Sequence, residues 1–189
     1  FDVLGVRHEI AITGEVRRLD LARLTADLTR LCETQMRLFE PHGTRPKRGA
    51  PARGAAPFDR YTFLTHAGGD GYGGLEHRNS TALICKRDDL PYVGMKDSTV
   101  GYRTFLGLAS HEYFHTWNVK RIKPAAFVPY DLTRENHTRL LWAFEGFTSY
   151  YDDLLLARAG LLTEAQYLET LGTTLTTVLQ KSGRLKQSV

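Results

Sequence analysis

Residues 111–115 read His-Glu-Tyr-Phe-His, two imidazoles and a carboxylate in a spacing that could do chemistry. On a helix, residues four apart share one face with Cβ atoms about 6 Å apart, so both rings can close on a single ion. Zinc accepts two such nitrogens at about 2.0–2.1 Å. Glu112 is displaced by one residue and sits beside the ion, where its carboxylate can take a proton from a water. The pattern is not conclusive by itself. With seven histidines and ten glutamates in the chain, a random ordering produces it roughly once in a hundred sequences.

A third ligand changes that weight, and Glu145 in "LLWAFEGFTSYYDD" is the candidate, on the next expected helix. Trp142, Phe144, Phe147 and Tyr150 flank it, and an unpaired carboxylate in such company is costly to bury. Coordination to a cation removes the cost. Two His and one Glu with a fourth position for water is an open, catalytic arrangement, whereas structural zinc sites are closed. The plain alternative is an exposed Glu on an amphipathic helix.

Three further groups could serve such a centre. Glu76 in "GGLEH" follows two glycines, which let a substrate approach the backbone of an edge strand closely; alternatively Glu76 and His77 are a polar pair at an exposed hairpin edge. Lys120, Arg121 and Lys123 in "WNVKRIKP" could face a substrate carboxylate, or form a solvated helix end favoured by the helix dipole. Asp152 and Asp153 could orient a ligand imidazole, or face solvent as a pair.

These residues need elements to hold them. "VRHEIAITG" at 6–14 reads as a strand. From Asp20, a suitable N-cap, Leu21, Leu24, Leu28, Leu31 and Leu38 recur at helical spacing up to "EPHG". The stretch 41–57 holds four of the seven prolines and reads as a long surface loop. "RYTFLTH" at 60–66 and "STALICKRD" at 80–88 read as a hairpin-like pair of strands, with "GGLEH" on the second arm. Three helices follow, at about 100–118, about 136–159 with Gly160 at C′, and from Thr163, whose Thr-Glu-Ala-Gln has capping-box form. On the first, Tyr102, Phe105, Leu106, Ala109 and Tyr113 make one apolar stripe, with Leu108, His111 and His115 facing roughly the other way. Strands gather in the first half and helices in the second, which predicts an α+β fold with a mixed or antiparallel sheet packed on the site helices.

Composition bounds the rest. At 189 residues and 42% hydrophobic content the chain is long enough for one domain with a sizeable core. The net charge of +4 is modest, and the basic clusters lack the interleaved aromatics of a nucleic-acid platform, so no nucleic-acid partner is expected. No apolar run approaches the ~18 residues of a membrane span. Cys32 and Cys85 belong to no CxxC pair and are expected to be buried thiols.

"HEYFHTWNVKRIKP" followed by "LLWAFEGFTSYY", with "GGLEHRNST" ahead of both at 73–81, resembles the glycyl aminopeptidase family, thermolysin-like zinc metallopeptidases of the gluzincin group. Three blocks in this order, within residues 60–160, are far more specific than HExxH alone. The resemblance implies a zincin-like catalytic domain with His111, His115 and Glu145 holding one zinc ion and Glu112 as general base. It implies that the carboxylate of Glu76 binds the free α-amine of a peptide substrate, with Gly74 and His77 beside it. The implied activity is removal of a small N-terminal residue, Gly- or Ala-like, without a covalent intermediate.

Two other readings stay open: a zinc endopeptidase on the same scaffold, and a non-catalytic interaction domain that keeps a metal for stability. The resemblance further implies that 1–189 is a truncated catalytic domain, with the family's N-terminal β domain and C-terminal PDZ domain outside it. The tyrosine that would stabilise the oxyanion is then expected beyond Val189, since nothing in the spacing of Tyr150, Tyr151 or Tyr167 qualifies one of them. The loop at 41–57 departs from the compact connection expected in the family. Oligomeric state, and a compartment such as bacterial cytoplasm or periplasm, are left open.

Overall fold

The computed structural model describes residues 1–40 and 56–186, so most of the loop expected at 41–57 lies outside the described residues. Five strands form one mixed sheet: β1 (Asp2–Val3), β2 (Val6–Gly14), β3 (Arg60–Gly68), β4 (Gly73–Glu76) and β5 (Ser80–Lys86), in the order β1-β2-β3-β5-β4. The helices are α1 (Leu21–Phe39), α2 (Val100–Phe114), α3 (Leu141–Arg158) and α4 (Glu164–Gln180). The mixed α+β class expected from the sequence is what the chain adopts.

Alternation along the strands decides which face meets the helices. Tyr61, Phe63, Thr65 and Ala67 of β3 and Thr81, Leu83 and Cys85 of β5 are buried, while Leu64 and Ile84 on the opposite face are exposed. α1 begins where predicted: the Asp20 carboxylate accepts from the Arg23 amide at 2.9 Å, and Leu24, Leu28, Leu31, Cys32 and Met36 enter the core. The expected stripe of α2, from Tyr102 to Tyr113, joins the same core. Because α3 packs on α2 as well, Leu108, Ser110, Glu112 and His115 are buried too. Both cysteines are free and buried.

The expected hairpin of "RYTFLTH" and "STALICKRD" is not formed. β3 and β5 run parallel, with Thr62 opposite Ser80, and the intervening β4 pairs antiparallel with the outer side of β5. The glycine-rich stretch carries the chain past the place that β5 later fills, so "GGLE" becomes an edge strand in its own right. Period-two alternation is identical for both directions of pairing, and the sequence could not choose between them.

Helix boundaries also moved. α2 ends at Phe114, and residues beyond it form turns in which the His115 carbonyl accepts from the Lys120 amide at 3.1 Å. α3 starts at Leu141 because Asn136, the expected start, closes the preceding loop: it accepts from the Asp131 amide at 3.0 Å and donates back to the Asp131 carbonyl at 2.8 Å. Gly160 takes positive φ after α3, and Thr163 and Gln166 form the capping box. No residue of α4 is buried, and its Leu168, Leu175, Val178 and Leu179 lie more than half exposed. Among the described residues no helix is long and apolar enough to cross a membrane.

Candidate active site

The last turn of α2 carries His111 and Glu112, with His115 as its C-cap, and the first half of α3 brings Glu145 to the two histidines. One ligand atom from each of His111, His115 and Glu145 lies within 4.8 Å of the others. Nε2 of His111 is 3.2 Å from one oxygen of Glu145, and Nε2 of His115 is 3.6 Å from the other. Glu145 is half exposed, as are Trp142, Phe147 and Tyr150, with only Phe144 of that group buried. Glu145 is thus not buried among aromatics, as the sequence suggests; it is set apart by pointing at the two histidines, while α3 turns Trp142, Phe147 and Tyr150 outward.

The far nitrogens of both rings are engaged. Nδ1 of His111 donates to the Asp152 carboxylate at 3.0 Å, and Nδ1 of His115 donates to the Asn118 carbonyl at 3.0 Å. Those acceptors place a proton on Nδ1 of each ring and leave both Nε2 atoms facing Glu145, that of His111 within hydrogen-bond distance of its carboxylate. With both rings neutral, the lone pairs of two imidazoles and a carboxylate converge on one point, where a metal cation, or a proton on Nε2 of His111, relieves their repulsion. Burial opposes charge on His111, but the Asp152 hydrogen bond and carboxylate outweigh it and raise the pKa of the ring, while burial lowers that of His115. Metal chemistry suits the donor set: nitrogen and oxygen ligands, three in number, with an open side.

Glu112 is only 5% exposed, and its Oε2 has no partner among the described residues. Burial pushes its carboxyl up to about 7, against the pull of the His111 ring and with the help of Glu76 and Glu145. A buried carboxylate oxygen without a donor needs a water or a substrate proton to satisfy it.

β4 supplies the opposite wall. A Cβ built on Gly74 would run into the Glu112 carboxyl group, so this glycine makes room for the side chain behind it. Glu76 turns towards the same region and is held by Lys120, whose Nζ lies 2.9 Å from its carboxylate. Burial would raise the Glu76 pKa, but the Lys120 hydrogen bond and charge prevail and lower it. His77 is exposed in the turn after β4, and its ring makes no hydrogen bond among the described residues. The structure therefore brings Glu76 and Gly74 to the site and leaves His77 at its margin.

The basic run after α2 is neither a solvated helix end nor a free cluster. Lys120 pairs with Glu76, and Arg121 donates to the carbonyls of Thr116, Arg78 and Pro57. Asp152 meets His111, whereas Asp153 makes no ion pair among the described residues, and burial pushes its carboxyl up to about 6. Sequence reasoning missed Gln35, fully buried on α1, which donates to the carbonyl and hydroxyl of Ser110, both at 2.9 Å; that hydroxyl donates to the Asp152 carbonyl at 2.7 Å. Its only signal was a glutamine among the leucines of an apolar stripe.

The model of the M61 glycyl aminopeptidase family matches residues 104–189, the stretch that contains both histidines, Glu112 and Glu145. No curated protein matches the chain. Among solved structures, the crystal structure of an aminopeptidase N family protein from Idiomarina loihiensis is similar, with 47% sequence identity and a TM-score of 0.81 over 91% of this chain. The chain spans 27% of the length of that protein. The family match over the stretch that carries both histidines, Glu112 and Glu145, together with this structural likeness, supports a peptidase of the glycyl aminopeptidase family.

Proposed function

We propose that the protein acts as a zinc-dependent aminopeptidase that releases a small N-terminal residue, Gly- or Ala-like, from peptides. One observation carries the reading: the donor atoms of His111, His115 and Glu145 converge within 4.8 Å beside a buried Glu112 whose Oε2 is unpartnered. In this reading residues 1–189 belong to a zincin-like catalytic domain of the thermolysin type. His111, His115 and Glu145 hold the ion, which when bound supplies Lewis-acid polarisation of the scissile carbonyl and of a water. Glu112 accepts the proton of the attacking water on Oε2 and hands it to the leaving amine. Asp152 and Asn118 hold the two rings in the tautomer that the ion requires.

The outer edge of β4, which has no strand partner among the described residues, can align an extended peptide by backbone hydrogen bonds, and Glu76 receives the free amine. The test is a pair of substrates given to the full-length protein, one Ala-peptide and its N-acetyl form. Cleavage of the first with at least a hundredfold loss on the second is expected. A zinc endopeptidase is the second reading, favoured by one observation, that Glu76 already has Lys120 as a counter-ion; equal cleavage of both peptides would establish it and remove the amine role of Glu76.

A further inference from the structure

Glu76 and Lys120 come from different elements, Glu76 from the end of β4 and Lys120 from the turn after the second histidine, anchored by its amide to the His115 carbonyl. Their side chains are 23% and 22% exposed and meet at 2.9 Å. A lysine ammonium and the α-ammonium of a peptide have the same chemistry, one positive charge and three N–H donors. One carboxylate, largely enclosed, thus already holds the kind of group that a substrate would bring to it.

We infer that Lys120 is a specificity-setting residue that occupies the amine site as an internal stand-in for the substrate's α-ammonium and yields it when a peptide binds. The inference rests on the reading of Glu76 as amine acceptor. Lys120 neutralises a partly buried carboxylate in the free protein, which would otherwise be an uncompensated charge. It also raises the threshold for occupancy. A ligand that binds only when Lys120 has swung aside has its affinity reduced by the fraction of time the site is open. Weak cations that bring nothing but charge are rejected, whereas a peptide adds backbone pairing along β4 and so displaces the lysine.

The experiment compares the zinc-loaded full-length protein with its Lys120→Met, Lys120→Gln and Lys120→Arg variants. It measures KM and kcat for an Ala-peptide and the inhibition constant of n-propylamine, which has the charge but no peptide bond. Lys120→Met and Lys120→Gln are expected to lower KM and the inhibition constant by about three- to tenfold, the gain from a site that is always open. kcat should move far less, and Lys120→Arg should stay within about twofold of the parent. A KM and an inhibition constant that are unchanged or higher in both uncharged variants would overturn the inference and leave Lys120 as a support for the Glu76 side chain. Failure of the aminopeptidase reading looks different: the parent protein would then cleave the N-acetyl peptide as well as the free one.

Discussion

Gly74 on the edge strand β4 backs directly onto the carboxyl group of Glu112 on α2, in the space that a methyl group at position 74 would need. The place of the proposed general base is therefore set in part by a side chain that is absent. Gly74→Ala is expected to push Glu112 off its position and lower kcat by about ten- to a hundredfold, a loss that displacement of a catalytic group by an ångström can cause. Zinc content should be unchanged. Gly73→Ala is the control, because a Cβ there meets nothing within 4 Å. Equal kcat values in the two variants would refute the steric account.

Glu112→Gln removes the proposed proton acceptor but keeps the shape of the side chain and all three proposed ligands. Hydrolysis should fall by about a hundred- to ten-thousandfold, the usual contribution of a positioned general base, while bound zinc per protein stays the same. Retained hydrolysis would show that another group takes the proton.

The sequence disclosed the parts of this site that are periodic along one helix. His111, Glu112 and His115 were legible because helical spacing alone puts two imidazoles together, and Glu145 was legible as an acidic residue on the following helix. What brought them together in space was not legible in the same way. Glu145 was expected to be buried among aromatics, yet α3 presents Trp142, Phe147 and Tyr150 outward. The pairing of Glu76 with Lys120 spans strand and turn, and no local pattern links positions so far apart. β4 was misplaced for a related reason, since alternation of side chains is the same whether strands run parallel or antiparallel.

His8 offers a test of the core that is independent of metal. Its ring is fully buried, hydrogen-bonded by Nε2 to the Tyr113 hydroxyl at 2.9 Å and by Nδ1 to the Val6 carbonyl at 3.0 Å, and burial lowers its pKa from 6.5 to about 4. Between those two values the unfolded chain takes up a proton that the folded one refuses. Stability from this group is thus intact above pH 6.5 and declines by about 3 kcal/mol as pH falls to 4. Glu112 and Asp153, whose pKa values are raised, act in the opposite sense, favouring the folded state as pH falls. Urea unfolding of the parent and of His8→Gln from pH 7 to pH 4 isolates the histidine by difference. The variant should show a shallower loss with acid, and identical slopes would mean that His8 is protonated in the folded state.

Asp152 has the position of a residue that tunes a ligand. Its carboxylate fixes the Nδ1 proton of His111 at 3.0 Å, and its own backbone is held by the Ser110 hydroxyl, which Gln35 in turn secures from α1. Removing the carboxylate frees the His111 ring to rotate and to change tautomer, so the inward nitrogen is presented only part of the time. Asp152→Ala is expected to weaken zinc binding by about ten- to a hundredfold, as loss of a group that orients a metal-bound histidine commonly does. Asp152→Asn, which can still accept from Nδ1 through its amide oxygen, should lose less. Gln35→Leu acts two contacts further away and should weaken zinc by less than Asp152→Ala, with its larger effect on thermal stability. Zinc titration against a competing chelator gives all three numbers. An affinity for Asp152→Ala equal to that of the parent would mean that the Asn118 contact on His115 and the packing of α2 are enough to aim both rings.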